Sequence, residues 1–242
     1  MVSEYNEITY AKTVMEDGFQ TNKMVHELYI VARYLYSVTK DKDEVRKYIV
    51  DFSKKHIDGF NEIRYFDKIE DVVSSSSDRE PRELGCVRVT DNEISFIKNF
   101  SDDKKIQQVI FGYLVVLKVR KAFGQKLYQN IKDSKFAKMC GLYKTSILYD
   151  IMNELESSGI IKHTRYLDNE ILMEEIEGTP EITVRDIDNC YRYWKMYNGD
   201  GKYMECQVCQ SIIPRTTNNQ KYCIDCSKKI NIAKTIEKSK QS

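Results

Sequence analysis

Four cysteines near the end of the chain have the type and spacing of metal ligands. Cys206, Cys209, Cys223 and Cys226 form the pattern C-x2-C-x13-C-x2-C. Each C-x2-C pair turns the backbone so that both sulfur atoms face one point, and two such pairs complete a tetrahedral site of four thiolates. Zn2+ favours thiolate ligands at about 2.3 Å and has no geometric preference of its own. The spacing therefore predicts a structural zinc site in which the protein fills every coordination position.

Two disulfides are the alternative interpretation of the same four cysteines. We favour a metal because the spacing lies within a lysine-rich segment and because residues 1–12 lack the apolar centre of a secretory signal peptide. Thiols that stay in the reducing cytoplasm rarely form disulfides. No apolar run is typical of a membrane span, so we expect a cytoplasmic protein without a membrane partner. The other cysteines, Cys86, Cys140 and Cys190, are expected to be small buried side chains.

The elements that carry this site are predicted to be mainly α-helical. Only three Pro and ten Gly occur in 242 residues, and apolar side chains recur at helical period over 23–37, 43–55 and 62–73. The apolar face of the last segment is formed by Ile63, Phe66, Ile69 and Val73. Residues 1–77 are therefore predicted to form a helical N-terminal domain. The serine run at 74–77, with the Pro and Gly that follow it, is predicted to be a linker.

A second domain is predicted over 87–178. It begins with a short strand at 87–89 and continues with a helix that Asp91 is predicted to cap. A strongly apolar helix follows over 104–123, and its length is close to that of a membrane span. The charges at its C-terminal end, Lys118, Arg120 and Lys121, indicate a buried core helix instead.

The later part of this second domain has the order helix, turn, helix and two strands. Gly141 marks the turn, and the small Ala137 four residues earlier permits two helices to approach closely. The second helix is predicted over 144–157, and strands over 160–166 and 170–176 follow as a hairpin. This order is typical of a winged helix-turn-helix with the hairpin as the wing. Helix-turn-helix sequences also serve as packing or dimerisation units, which is the alternative.

The last quarter of the chain is divided between a connector and the cysteine module. Residues 179–201 are predicted to contain an aromatic-rich connector helix, and residues 202–242 a four-cysteine zinc finger with a basic C-terminal helix. The aromatic side chains of the connector are Tyr191, Tyr193, Trp194 and Tyr197. Such a group can stack on nucleic-acid bases, but we favour a role in docking the small metal module onto its neighbour.

Charge is distributed unevenly along a chain whose formal net charge is only +1. Residues 104–144 contain ten Lys or Arg and one acid, and residues 202–242 contain eight basic and three acidic residues. Clustered Lys and Arg neutralise phosphates, so both regions predict a DNA partner; a solvated helix surface with a lysine-rich tail is the alternative. The residues expected to contact DNA are Lys135, Lys138, Tyr143, Lys144, Thr145, Ser146, Lys162, Arg165, Arg215, Lys221, Lys228 and Lys229.

The cysteine pairs and the run Gln220-Lys221-Tyr222-Cys223 resemble a treble-clef zinc finger, a type that recurs in phage and mobile-element proteins of Gram-positive bacteria. The resemblance implies that the first cysteine pair leads a hairpin and that the second opens a helix from Cys226 to about Glu237. The whole chain is similar to an uncharacterised prophage family, which implies an architecture and no activity. Residues 28–77 also resemble the small helical domain that follows the catalytic part of some phage primases.

The sequence contains no recognisable catalytic motif. A phosphate-binding glycine loop, a G-x-S-x-G elbow and an H-E-x-x-H helix are all missing, and the three histidines lie in unrelated segments. The finger itself contains no histidine between Cys206 and Ser242, so its closed site is not expected to activate water. We therefore expect a protein that is not an enzyme.

Together these patterns predict a mainly α, zinc-containing DNA-binding protein of phage type that acts in transcription or replication control. The alternative function is a protein-interaction adaptor that docks on a host polymerase or replication protein. Residues 165–190 favour this alternative because they contain eight acidic and two basic residues. The later turns of the second helix favour it too, because Asp150, Glu154 and Glu156 would repel a phosphate backbone.

Overall fold

The computed structural model describes residues 6–129, 131–164 and 169–240, with side chains described as far as residue 232. Ten α-helices and seven short strands lie within these residues, which confirms the prediction of a mainly α protein. The chain divides into two compact units, Met1–Gly85 and Cys86–Ser242. Each unit has its own elements and is described by itself.

The first unit contains four helices: α1 (Glu7–Asp17), α2 (Met24–Thr39), α3 (Lys42–His56) and α4 (Glu62–Ser76). Asp41 and Asn61 start α3 and α4, because one side-chain oxygen of each accepts hydrogen bonds from two backbone N–H groups of the first turn. The four helices enclose one apolar core, whose most deeply buried members are Ala11, Val14, Ile30, Val31, Ala32, Ile49 and Val73.

The serine run at 74–77 continues α4 as far as Ser76, so the prediction that it is a linker was wrong. The Ser74 hydroxyl donates a hydrogen bond to the carbonyl oxygen of Glu70 at 2.6 Å, one turn earlier in the helix. Ser76 is buried, and its hydroxyl lies 3.4 Å from the carbonyl oxygen of Tyr29 in α2. Small hydroxyl side chains that bond back to the helix or to a neighbour do not end it, and no Pro or Gly occurs between Glu62 and Pro81.

The predicted apolar face of α4 was only partly correct. Ile69 and Val73 are buried, but Ile63 is 88% exposed and Phe66 is 48% exposed. Val72, which the periodicity did not select, is buried instead. The buried positions all lie in the second half of α4. In the first half it is Tyr65 that packs against the core, while Arg46 of α3 lies over the Phe66 ring at 5.5 Å without burying it.

The second unit is built around α6 (Lys104–Ala122), which is buried on almost every side. A helix that is apolar all round lies in a protein core or in a membrane. None of the helices in the described residues is long and apolar enough to cross a membrane. Around α6 pack β1 (Val87–Thr90) and α5 (Asp91–Phe100), and the Lys118 ammonium lies 2.8 Å from the carboxylate of Glu93 in α5.

Thr90 caps α5, and the prediction of Asp91 as the cap was wrong. The Thr90 hydroxyl accepts a hydrogen bond from the Glu93 backbone N–H, and the Glu93 carboxylate accepts one from the Thr90 backbone N–H. This reciprocal pair satisfies two donors that the helix leaves open. Asp91 accepts instead from the backbone N–H of Thr179, next to β5 (Pro180–Val184), which pairs antiparallel with β1.

The segment between α6 and β5 forms a compact helix and strand arrangement. Its elements are β2 (Tyr128–Gln129), α7 (Asp133–Met139), α8 (Thr145–Ser157), β3 (Ile161–His163) and β4 (Asn169–Ile171). The three strands form an antiparallel sheet in the order β2-β4-β3. The two helices are therefore inserted between the strand at one edge of the sheet and the hairpin that completes it.

The hairpin strands are shorter than the predicted ranges 160–166 and 170–176. Residues 165–168 lie outside the described part of the chain. On the other strand, β4 ends at Ile171, and residues 176 and 177 bond to α5. The backbone N–H of Ile176 donates to Glu93 at 3.3 Å, and the side-chain amide of Asn92 donates to the carbonyl oxygen of Glu177 at 2.7 Å.

Aromatic side chains join this core to the last part of the unit. A short 3-10 turn (Ile187–Asn189) leads into α9 (Cys190–Tyr197), which is followed by the hairpin β6 (Tyr203–Glu205) and β7 (Ile212–Pro214) and by α10 (Ile224–Lys240). The Trp194 ring lies 5.2 Å from that of Phe111 in α6. On the other side, Tyr191 meets Tyr203 edge to face at 6.2 Å. Aromatic residues of α9 thus lie between α6 and the hairpin.

Candidate metal centre and candidate nucleic-acid interface

The four cysteine sulfur atoms converge at the point where the β6–β7 hairpin meets α10. Cys206 follows β6, Cys209 lies in the hairpin turn, and Cys223 and Cys226 lie just before and within the first turn of α10. All four Sγ atoms lie within 4.8 Å of one another, and those of Cys209 and Cys223 are 3.9 Å apart. A tetrahedron with metal–sulfur bonds of about 2.3 Å has an edge of about 3.8 Å. The four cysteines can therefore hold one metal ion between them.

Backbone N–H groups in the two turns donate to the sulfur atoms. The N–H of Cys223 donates to the Cys206 Sγ, and the N–H of Cys226 donates to the Cys223 Sγ, each at 3.3 Å. The first turn is closed by the N–H of Gln210, which donates to the carbonyl oxygen of Cys206 at 2.9 Å. Gln210 adopts a left-handed conformation with φ of 58° to make this turn. Donors aimed at sulfur stabilise thiolate, which is the form that binds metal.

Burial and these contacts shift the pKa values of Cys206, Cys223 and Cys226 in different directions. Burial alone raises the pKa of Cys206, but hydrogen bonds from the backbone N–H groups of Cys209, Cys223 and Val208 outweigh it and lower the pKa to about 6. Burial, together with hydrogen bonds among the cysteine sulfur atoms, raises the pKa of Cys226 to about 12. The pKa of Cys223 is also raised, chiefly by burial. A divalent cation that replaces these protons removes the repulsion between neighbouring thiolates.

The residues present fit a soft, tetrahedral metal ion. All four donors are sulfur atoms, and no carboxylate belongs to the cluster found among the described residues. The apolar core of the module is small: Ile213 packs with Cys206 and Cys226, and Met204 and Tyr222 lie against them. A metal ion held by the four sulfur atoms would add a crosslink to this small core.

Eleven of the twelve residues predicted to contact DNA lie in the described part of the chain, and Arg165 lies outside it. Tyr143 is 99% exposed in the turn between α7 and α8. The exposed basic and hydroxyl side chains are Lys138, Lys144, Ser146, Lys162, Arg215, Lys221, Lys228 and Lys229, while Lys135 and Thr145 are half-buried. The structure places two groups of these residues on different elements: one on α7, α8 and β3, and one on the cysteine module.

The first backbone N–H groups of α8 receive no side-chain acceptor from the residue that caps the helix. Lys144 occupies the cap position, and a lysine side chain has no oxygen to accept from the first backbone N–H groups. Exposed N–H groups at a helix start favour an anion, which Lys144 and the neighbouring Ser146 hydroxyl also attract. Buried side chains on the opposite face, Leu148, Ile151, Met152 and Leu155, fix the helix against the core.

One exposed aromatic residue on this helix was missed by the sequence analysis. Tyr149 is 48% exposed, and its hydroxyl donates a hydrogen bond to the Asp133 carboxylate of α7 at 2.9 Å. That hydrogen bond raises the pKa of Tyr149. Helical periodicity could have identified this residue, because Tyr149 lies three residues after Ser146 and four after Thr145 and so shares their face of α8.

Acidic side chains occupy the later turns of α8. Asp150 and Glu154 are exposed. Glu156 bonds to β3, where one of its carboxylate oxygens accepts from the backbone N–H of His163 at 3.0 Å. Only the first turn of α8 therefore combines exposure with groups that attract phosphate.

Comparisons of the chain with protein-family models, with curated proteins and with solved structures give no match. A given fold hosts many unrelated functions, so function has to be inferred from the residues of the two candidate sites.

Proposed function

We propose that the chain is a non-enzymatic DNA-binding protein of phage or mobile-element type that acts in transcription or replication control. In this proposal β2, α7, α8, β3 and β4 form a winged helix, and the four-cysteine site holds a structural zinc ion. The observation that carries the proposal is the exposed first turn of α8, with Tyr143 almost fully accessible beside Lys144 and Ser146.

The order of elements supports the winged-helix interpretation. In the strand order β2-β4-β3, the strand before the two helices pairs with the last strand of the hairpin. This pairing leaves the first turn of α8 outside the sheet, where it can approach a partner. A helix that enters the major groove contacts base edges through its N-terminal residues. At the start of α8 those residues would be Tyr143 and Lys144, which precede the helix, and Thr145 and Ser146 in its first turn.

Each exposed group then has a defined role. Lys138 and Lys144 neutralise phosphates on both sides of the turn, and Ser146 and Thr145 donate to phosphate or base edges. Tyr143 supplies an aromatic face. Lys162, on the exposed side of β3, and Arg165 at the predicted wing tip add backbone contacts. In the finger, the exposed Arg215, Lys221, Lys228 and Lys229 add further phosphate contacts.

The zinc ion has a structural role in this proposal. When bound, it crosslinks the hairpin to α10 through Cys206, Cys209, Cys223 and Cys226, and four protein ligands leave no open position for a substrate. The phage assignment rests on the Gln220-Lys221-Tyr222-Cys223 run and the spacing of the cysteines.

The test is binding of the zinc-loaded protein to random duplex DNA, measured by fluorescence anisotropy across a salt series. We expect affinity to fall steeply with salt, because each phosphate contact releases a counterion. The K138E/K144E variant should lower the slope of log affinity against log salt by about 2, one unit for each lost contact.

The matched control is K47E/K55E, which makes the same change of charge at exposed lysines of α3 in the first unit. We expect it to keep the wild-type slope, because neither lysine is among the residues of the proposed interface. Equal binding by wild type and K138E/K144E would refute the proposed interface.

The second candidate is an adaptor that docks on a host polymerase or replication protein. The exposed acids Asp150 and Glu154 on α8 and Glu174, Glu175 and Glu177 after β4 favour a basic protein partner over DNA. A stoichiometric partner that survives nuclease treatment of a host lysate, and that is lost with D150K/E154K, would support the adaptor. Binding to purified duplex DNA at low salt with no such partner would support the first proposal.

A further inference from the structure

The exposed side of α8 carries two separate stripes of side chains. Ser146, Tyr149 and Asn153 are all exposed and follow one another at spacings of three and four residues. With 3.6 residues per turn they lie within an arc of about 60°. We call these three residues the neutral stripe, because none of them is charged. Asp150 and Glu154, also exposed, form an acidic stripe beside it.

The neutral stripe lies on the side of α8 that faces the start of α7. The Tyr149 hydroxyl donates to the carboxylate of Asp133, the first residue of α7, at 2.9 Å. The residue before Asp133 is Lys132, which is exposed. Asp150 and Glu154 lie about 100° and 140° around the helix from Tyr149, on the side farther from α7. A partner that contacts the lysines of α7 therefore meets the neutral stripe rather than the acidic one.

Asn153 presents a free amide on this stripe. Within residues 6–129, 131–164 and 169–240 its side chain makes no hydrogen bond, and only its backbone carbonyl oxygen accepts, from the Ser157 hydroxyl at 2.8 Å. An asparagine amide offers an acceptor and a donor side by side. Adenine presents the matching pair in the major groove, a donor at N6 and an acceptor at N7, whereas guanine presents two acceptors there. The amide therefore fits adenine.

Tyr149 presents an aromatic ring whose hydroxyl proton is already donated. Because Asp133 accepts that hydrogen bond, the exposed part of Tyr149 is its apolar ring. The apolar group that base pairs present in the major groove is the thymine methyl. Tyr149 and Asn153 are about 6 Å apart along the helix axis, and successive base pairs are about 3.4 Å apart, so the two residues can contact neighbouring pairs.

We propose that Asn153 determines the DNA sequence that α8 recognises, through a bidentate hydrogen bond to an adenine, and that the Tyr149 ring contacts a thymine methyl of a neighbouring pair. This inference rests on the proposed function and adds the class of base pair that the site prefers. Asn153 lies about 12 Å along α8 from Thr145, which is close to the width of the major groove. The start of the helix and Asn153 can therefore contact the same groove.

The first test is selection of duplexes from a random-sequence DNA library by the zinc-loaded protein, followed by sequencing. We expect an enriched motif with one position that requires adenine and a thymine preference close to it. N153A should lose the adenine preference and keep the rest of the motif. The matched control N99A removes an exposed asparagine of α5 and should select the wild-type motif.

A change of preference is a sharper result than a loss. N153D replaces the amide by a carboxylate of the same shape, which can only accept, and carboxylates accept from N4 of cytosine. We therefore expect N153D to select cytosine where wild type selects adenine, which general damage to the fold would not produce. Y149A should lose the thymine preference and keep the adenine.

The magnitude comes from fluorescence anisotropy with two duplexes that differ at this one base pair. Wild type should bind the adenine-containing duplex about 5- to 100-fold more tightly than the duplex with G·C in its place, and N153A should bind both equally. Because Asn153 is uncharged, wild type and N153A should show the same slope of log affinity against log salt. A lower slope in N153A would indicate a general role in docking and would overturn the reading role.

The outcomes separate this inference from the proposed function. Binding that falls steeply with salt but shows no adenine preference, or the same motif for wild type and N153A, would overturn the role of Asn153 and leave the DNA-binding proposal standing. If wild type binds no duplex DNA even at low salt, the proposed function fails, and base recognition by Asn153 fails with it.

Discussion

Gly141 offers a sharp test of how the turn between α7 and α8 is built. Its backbone is left-handed, with φ of 72°, and a Cβ placed there would lie 2.6 Å from Cδ2 and 2.8 Å from Cγ of Tyr191 in α9. These ring atoms are close to the backbone of α9, so the ring cannot swing away without moving that helix. Gly159, which follows α8, has nearly the same φ of 73°, but a Cβ there meets nothing within 4 Å.

The two glycines therefore separate backbone strain from packing. Gly159→Ala adds the cost of a left-handed conformation, about 1–2 kcal/mol, and gains part of it back through a less flexible unfolded chain. Gly141→Ala adds the same strain and also forces an extra methyl group against Tyr191, which costs a further 1–3 kcal/mol or so. We expect losses in the free energy of unfolding of about 1 kcal/mol for Gly159→Ala and about 2–4 kcal/mol for Gly141→Ala.

Urea unfolding followed by tryptophan fluorescence measures this difference. The chain contains one tryptophan, Trp194, which is buried against Phe111 and so reports on the second unit. With a urea slope of about 2 kcal/mol per molar, the midpoint of Gly141→Ala should lie about 0.5–1.5 M below that of Gly159→Ala. Equal midpoints would show that Tyr191 moves aside freely, and would refute the close packing of α9 on this turn.

Two further predictions concern the metal centre and a buried charge. Cys226→Ser removes one of the four candidate ligands, and metal analysis of the variant should no longer find stoichiometric zinc. Cys86→Ser, the control outside the cluster, should keep its zinc. A full zinc content in Cys226→Ser would contradict the site. Lys118→Met leaves the Glu93 carboxylate, which is only 1% exposed, without its cation and should lower the free energy of unfolding in urea by about 3 kcal/mol. Lys121→Met, the control at an exposed position, should lower it little. Similar urea midpoints for both variants would refute the importance of the buried pair.

Several features could be predicted because their signal is local. The C-x2-C spacing fixes each sulfur pair within one backbone turn, and the four cysteines do lie together. The apolar run over 104–123 indicated a core helix, and α6 is buried on almost every side. Such features depend on residues a few positions apart, whose geometry the backbone largely dictates.

Other features could not be predicted because they depend on distant partners. The serine run at 74–77 has turn-forming composition, but α2 covers Ser76 and the helix continues. Periodicity placed Ile63 and Phe66 on a buried face, yet in that half of α4 it is Tyr65 that packs against the core. Thr90 rather than Asp91 caps α5, since the segment after β4 returns to bond with Asp91.

By itself, the sequence determined the helical character of the chain and the pairing of cysteines within each C-x2-C turn, since both arise from contacts within a turn or two. Only the tertiary structure decided the environment of Tyr149, because the Asp133 carboxylate that accepts its hydrogen bond belongs to a different helix. The roles of such side chains are set by which elements pack together. That choice depends on burial summed over the whole unit, which no local pattern of residues contains.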